Sequence, residues 1–125
     1  MIDPSLPWLS LPPGLAVAGA VLCTAMGVLG AVSPGRAARL VSIQPIGGLG
    51  ASEVRATYGG LFLAMGLACL ILQSPHAYLV AGASWAGAGL MRFPSLLLDR
   101  GSFPKGLAGA TLELAIGLLL LCGAA

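Results

Sequence analysis

Glu113 is the residue whose type and surroundings most demand a chemical account. It stands inside a run, about 105–122, that is otherwise apolar or small. If that run is a helix in hydrocarbon, an unpaired carboxylate at mid-depth costs around 3 kcal/mol on insertion scales. Glu113 must then be neutral or paired. The groups that could meet it are Arg92, Arg55 and Tyr58, with Glu53 and Asp99 nearer the water as a rim. Two guanidiniums, a phenol and a carboxylate can do three kinds of chemistry. They can close on one another as an ion-pair lock between helices, since one Arg–Glu pair is the least costly way to bury either charge. They can line a half-open pocket for the polar head of a small amphipathic ligand. They can also relay a proton.

Catalysis has little else to draw on. His76 is the sole histidine and sits beside a proline, in a loop that should face the side away from the cluster. Without a second histidine the chain alone cannot hold haem between two imidazoles. There is no Ser/His/Asp set, phosphate-cradling glycine loop or metal-ligand spacing. Cys23, Cys69 and Cys122 all fall within apolar runs and read as small packing residues. The expectation is a protein that is not an enzyme and carries no cofactor and no metal.

The cluster needs helices to hold it, and the sequence supplies four apolar runs. The first, 14–32, is uncharged and closes at Ser33-Pro34-Gly35. The second is expected over 52–72, with Ser52 as N-cap and Glu53 favourably placed in the first turn. Gly47, Gly48 and Gly50 should break the chain ahead of it. The third, 77–98, is interrupted by Pro94, which removes the hydrogen bond that the Leu90 carbonyl would accept, so a kink or helix end beside Arg92 is expected. The fourth, 105–122, follows a turn at Gly101-Ser102-Phe103-Pro104. Between the first two runs, Arg36, Arg39, Leu40 and Ile43 fit either a short interfacial helix or an extended loop. Met1 to Pro13 reads as an extended interfacial segment, with Trp8 suited to the headgroup region. It has no Lys or Arg, so the first run is expected to stay in the mature chain rather than be cleaved as a signal.

Composition points the same way. Of 125 residues 58% are hydrophobic and only 8% charged, whereas a soluble domain carries about a quarter charged residues. Mean hydropathy is +0.98. So few charges could not cover a water-exposed surface, which makes lipid the expected solvent. A net charge of +2 with no basic patch interleaved with aromatics excludes nucleic acid.

Orientation follows from the basic residues. Arg36, Arg39 and Arg55 cluster around the first loop, and Arg100 and Lys105 around the third, while the second loop and both ends carry none. The positive-inside rule puts both basic loops in the cytoplasm and both termini on the far side. The fold class expected is all-α: a polytopic four-transmembrane-helix bundle.

Depth arithmetic then gathers the cluster. At about 1.5 Å per residue, Glu113 lies roughly 12 Å from Lys105 and Arg92 roughly 10 Å from Asp99 on the antiparallel neighbour, so the two share a level. Arg55 and Tyr58 lie roughly 5 and 9 Å into the second run from the same side. Small residues mark the faces where helices meet. Ala16, Ala20, Cys23, Gly27 and Gly30 form one stripe of the first run, with Leu15, Leu22 and Leu29 on another. Gly106, Gly109, Ala110, Glu113 and Gly117 share a face of the fourth, and Gly59 and Gly60 serve the second.

Glu53-Val54-Arg55-Ala56-Thr57-Tyr58-Gly59-Gly60 resembles the motif of the bacterial integral-membrane domain-of-unknown-function family 4345. In that family an acidic residue, Arg and Tyr-Gly-Gly open the second of four helices. The likeness runs on through Arg92, Asp99, Gly101 and Glu113, covering about 14–121. It implies a four-helix fold distantly similar to DoxX-like membrane proteins, and a place in the bacterial inner membrane. The chain departs from the pattern in its proline-rich amino terminus and at Arg92-Phe93-Pro94.

Two functions are expected. One is a non-catalytic accessory or stabilising subunit packed with other membrane proteins in a larger respiratory or photosynthetic complex, rather than an isolated monomer. The other is binding or transport of a small lipid-like or quinone-like ligand at Arg55, Tyr58, Arg92 and Glu113.

Overall fold

The computed structural model describes residues 13–100 and 103–124. The expected amino-terminal segment before Pro13, and Gly101 and Ser102 of the expected third turn, lie outside the described residues. The described chain is all-helical, with five helices: α1 (Pro13–Val32), α2 (Pro34–Leu40), α3 (Gly47–Leu72), α4 (Pro75–Leu98) and α5 (Lys105–Leu121).

Local chemistry explains the breaks. Ser33 leaves helical geometry at φ −135° and Pro34 begins α2 at a position where its missing N–H costs nothing. The Ser33 carbonyl accepts from the N–H groups of Arg36 and Ala37, both at 3.1 Å, so α2 starts one residue after α1 ends. Of the two expectations for this loop, the short helix is the one observed.

The second run begins at Gly47 rather than at Ser52. Gly47 has φ +63°, which only glycine adopts without cost, and turns the chain straight from Pro45-Ile46 into the helix. Gly50 N–H donates to the Ile46 carbonyl at 3.0 Å, closing the first turn. A Cβ on Gly50 would stand 2.9 Å from the Pro45 carbonyl carbon. The glycines therefore start the helix instead of breaking it, and Ser52 is an interior residue that caps nothing.

Within α3, Arg55–Leu61 is a π-helical segment. Each such turn takes in an extra residue, so the faces before and after it are out of step. A Gly-Gly pair is where a helix yields most readily, and Gly59-Gly60 sits inside the segment. In the third run, α4 continues through Pro94 to Leu98 instead of ending there. Only one turn follows the proline, and Asp99 N–H closes it on the Ser95 carbonyl at 2.8 Å.

The residues form two compact units, Ala20–Ile71 and a second made of α1 up to Gly19 with Leu72 onward. In the first unit, α1 and α3 run antiparallel in backbone contact. A Cβ on Gly27 would lie 2.3 Å from Leu63 N, one on Gly30 2.1 Å from Tyr58 O, and one on Gly66 2.7 Å from Thr24 N. Ala37 and Ala38 seat α2 on Val54, with Leu29 and Tyr58 alongside. In the second unit, α4 and α5 make an antiparallel hairpin. A Cβ on Gly82 would meet Leu121 N at 2.9 Å, on Gly117 Ala86 N at 2.5 Å, and on Gly89 Leu114 N at 2.8 Å.

The buried positions are mostly small: Ala16, Ala20, Cys23, Cys69, Ala81 and Ala110 are each at most 2% exposed. Large aliphatics such as Val21, Val28, Ile71, Val80, Leu90, Leu112 and Leu118 are exposed. Small residues inside let backbones approach, and the bulky ones are left outside. Two helices, spanning Gly14–Val32 and Gly47–Leu72, are long and apolar enough to cross a membrane.

Candidate functional site

The α4–α5 hairpin carries the ionisable centre. Glycines at 89 and 117 draw the two backbones together, and this closeness lets side chains on facing turns reach each other. Arg92 on α4 meets Glu113 on α5 through a two-pronged contact. Arg92 Nε donates to Glu113 Oε2 at 2.6 Å and Nη2 donates to Oε1 at 2.9 Å. Parallel charge-assisted bonds of this kind are among the strongest polar contacts a protein makes, and their geometry fixes orientation as well as distance.

The hairpin makes room for the guanidinium at Gly109, one turn before Glu113 on the same face. A Cβ there would sit 3.4 Å from Arg92 Nε and Cζ. The small residue at 109 is thus the floor on which the arginine lies. Gly106 is half-buried and Ala110 is fully buried on the same side of α5. The pair is not sealed, for the Arg92 side chain is 33% exposed and that of Glu113 16%. Asp99, expected at the rim, is exposed at the end of α4 and accepts from Ser95 Oγ.

Arg55 and Tyr58 belong to the other compact unit, and their partners are found within it. Both lie in the π-helical segment. Arg55 Nε donates to the Ala31 carbonyl at 3.3 Å, one of the last carbonyls of α1, which lack helical donors and carry the negative end of the helix dipole. Tyr58 stacks edge-on against Phe62, ring centroids 5.6 Å apart, and its backbone carbonyl is the group against which Gly30 presses. Gly59 is buried on Ala31, whose nitrogen a Cβ would approach to 2.7 Å, whereas Gly60 has only Arg55 O, at 3.9 Å. Glu53 is exposed.

Some partners were not readable from residue types. The Ala31 carbonyl as acceptor for Arg55 has no sequence signal beyond its place at a helix end. Tyr78 is buried on α4 and its hydroxyl donates to Gln73 Oε1 at 3.3 Å. Its spacing with Ala81, Gly82, Trp85 and Gly89, all buried, is the helical period that could have marked this face. Among the described residues no group of three or more His, Cys, Asp or Glu side chains is placed to hold a metal ion.

Compared with known protein families, curated proteins and solved structures, the chain matches none.

Proposed function

We propose that this chain is a small, non-catalytic integral membrane protein of four spans that acts as an accessory or stabilising subunit of a larger membrane assembly. One observation carries the proposal. Large apolar side chains stand on the outside of every helix, while the deepest ionisable pair satisfies itself within one hairpin. Monomeric soluble proteins seldom expose such continuous apolar surface. Only 33% and 22% of the most apolar windows of α1 and α3 are buried, unlike the core helix of a soluble domain.

For α4 and α5 the support is length and neutrality. With 24 and 17 residues they measure about 36 and 26 Å, against about 30 Å of hydrocarbon. Their one internal pair of charges cancels. The basic residues then orient the bundle in a bacterial inner membrane with Arg36, Arg39, Arg55, Arg100 and Lys105 towards the cytoplasm. Alkaline phosphatase fused after residue 125 is expected to be active, and green fluorescent protein at the same position dark. The reverse pattern would overturn the orientation.

The accessory role rests on bulky side chains facing outwards. Extraction in mild detergent should bring the chain out with other membrane proteins at constant stoichiometry through size exclusion and a second affinity step. Recovery as a lone monomer would sink this reading. A second reading, ligand binding at Arg92 and Glu113, is favoured by the partial exposure of that pair, to which a small polar headgroup has access.

A further inference from the structure

We infer that α2 and the adjoining part of α3 bind the phosphate headgroup of an anionic phospholipid, with Arg36, Arg39 and Arg55 as its cations. The inference rests on the membrane reading above and adds a ligand to it. Ala37 and Ala38, 3% and 1% exposed, pin α2 against Val54, and Arg36 and Arg39 flank them on the exposed side, three residues apart on neighbouring turns. Arg55 follows Val54 directly. One of its five donors is spent on the Ala31 carbonyl, which fixes the guanidinium and leaves donors for an anion.

Among the described residues these charges have no counter-ion. Within Ala20–Ile71 the only acidic residue is Glu53 against the three arginines, and none of the three forms an ion pair with a described residue. All three cations are arginine, whose planar fork matches a phosphate through two parallel bonds. The surroundings decide between a lipid and a soluble anion. Leu40, Ile43, Ile46 and Leu49 are 66, 41, 87 and 77% exposed on and after α2. Free phosphate has no use for four exposed aliphatic side chains. A glycerophospholipid presents an anionic head and acyl chains together, which is the pairing an interfacial amphipathic segment meets.

The full chain is placed in nanodiscs of equimolar phosphatidylglycerol and phosphatidylcholine, and the lipids retained on release are counted by native mass spectrometry. Phosphatidylglycerol should be enriched. Arg36→Gln/Arg39→Gln should cut that enrichment by roughly tenfold or more, taking roughly fivefold per arginine. Both side chains are exposed and make no ion pair with a described residue, so the variant should fold, which its unchanged melting confirms. Arg100→Gln/Lys105→Gln, removing two other basic groups, should leave the enrichment intact. Retention of both lipids in the bulk ratio by a chain that enters the discs would overturn the site while leaving the membrane reading standing. Failure to enter discs, with release from membranes by alkaline carbonate, would overturn both. Equal stabilisation by inorganic phosphate in phosphatidylcholine discs would assign the arginines to a free anion and overturn the lipid. Loss of a co-purifying protein from the Arg36→Gln/Arg39→Gln variant, with lipid ratios unchanged, would overturn it in favour of a protein partner.

Discussion

Leucine at position 30 is expected to part α1 from α3. A Cβ there would stand 2.1 Å from the Tyr58 carbonyl oxygen, 2.2 Å from its carbon and 2.5 Å from Gly59 N. All three are backbone atoms, so no rotamer change relieves the overlap. Overpacking where side chains can shift costs about 1–3 kcal/mol, and here the expected loss is at least about 3 kcal/mol, or a fall in melting temperature of roughly 10 °C or more. Cys23 and Cys69, 0% and 1% exposed in the same unit, report the opening directly through a thiol-reactive dye in a Cys122→Ala background. Gly87→Leu is the size-matched control, because nothing lies within 4 Å of a Cβ at 87. It should melt within about 1 kcal/mol of the parent, the range of a helix-interior glycine replacement. Equal melting of the two variants would mean that the glycine seam is not what holds this unit.

The seam shows where sequence reasoning reaches and where it stops. The stripe of Ala16, Ala20, Cys23, Gly27 and Gly30 is readable because outward-facing and helix-facing positions select for side-chain size at the helical period, and all five are buried in α1, with Gly19 as a sixth that the stripe left out. Arg92 and Glu113 are readable as a pair because two antiparallel helices joined by a short turn put equal depths together. The start of α3 was not readable, since Gly47 and Gly50 look like helix breakers until the positive φ of one and the tight approach of the other are seen. The π-helical segment was hidden for a related reason. An extra residue per turn leaves composition and hydropathy unchanged, and only the Gly59-Gly60 pair hints at a yielding backbone. The far end of α4 was legible, at 98, because the proline falls one turn from the helix end, where it costs one hydrogen bond and the turn beyond can still close on Ser95.

Glu113→Gln separates a lock from a pocket. The amide keeps the shape of the carboxylate but removes the negative charge that Glu113 sets against the Arg92 guanidinium. A hydrogen bond to a charged group is worth about 1.5–3 kcal/mol, and breaking a fully buried pair costs about 3–5 kcal/mol. With the side chains 33% and 16% exposed, the expected loss lies below the fully buried range and in the upper part of the first, about 2–3 kcal/mol, read as melting in bilayer discs. Arg92→Met/Glu113→Leu should recover to within about 1 kcal/mol of the parent, because removing both partners removes the desolvation cost together with the attraction. Arg92→Lys should fall between, since an ammonium cannot engage both carboxylate oxygens in parallel. A pocket behaves otherwise: Glu113→Gln would melt like the parent while losing a bound amphiphile, and the apolar double variant would lose it too. Recovery by the double variant with no ligand lost identifies the pair as the register pin of α4 on α5.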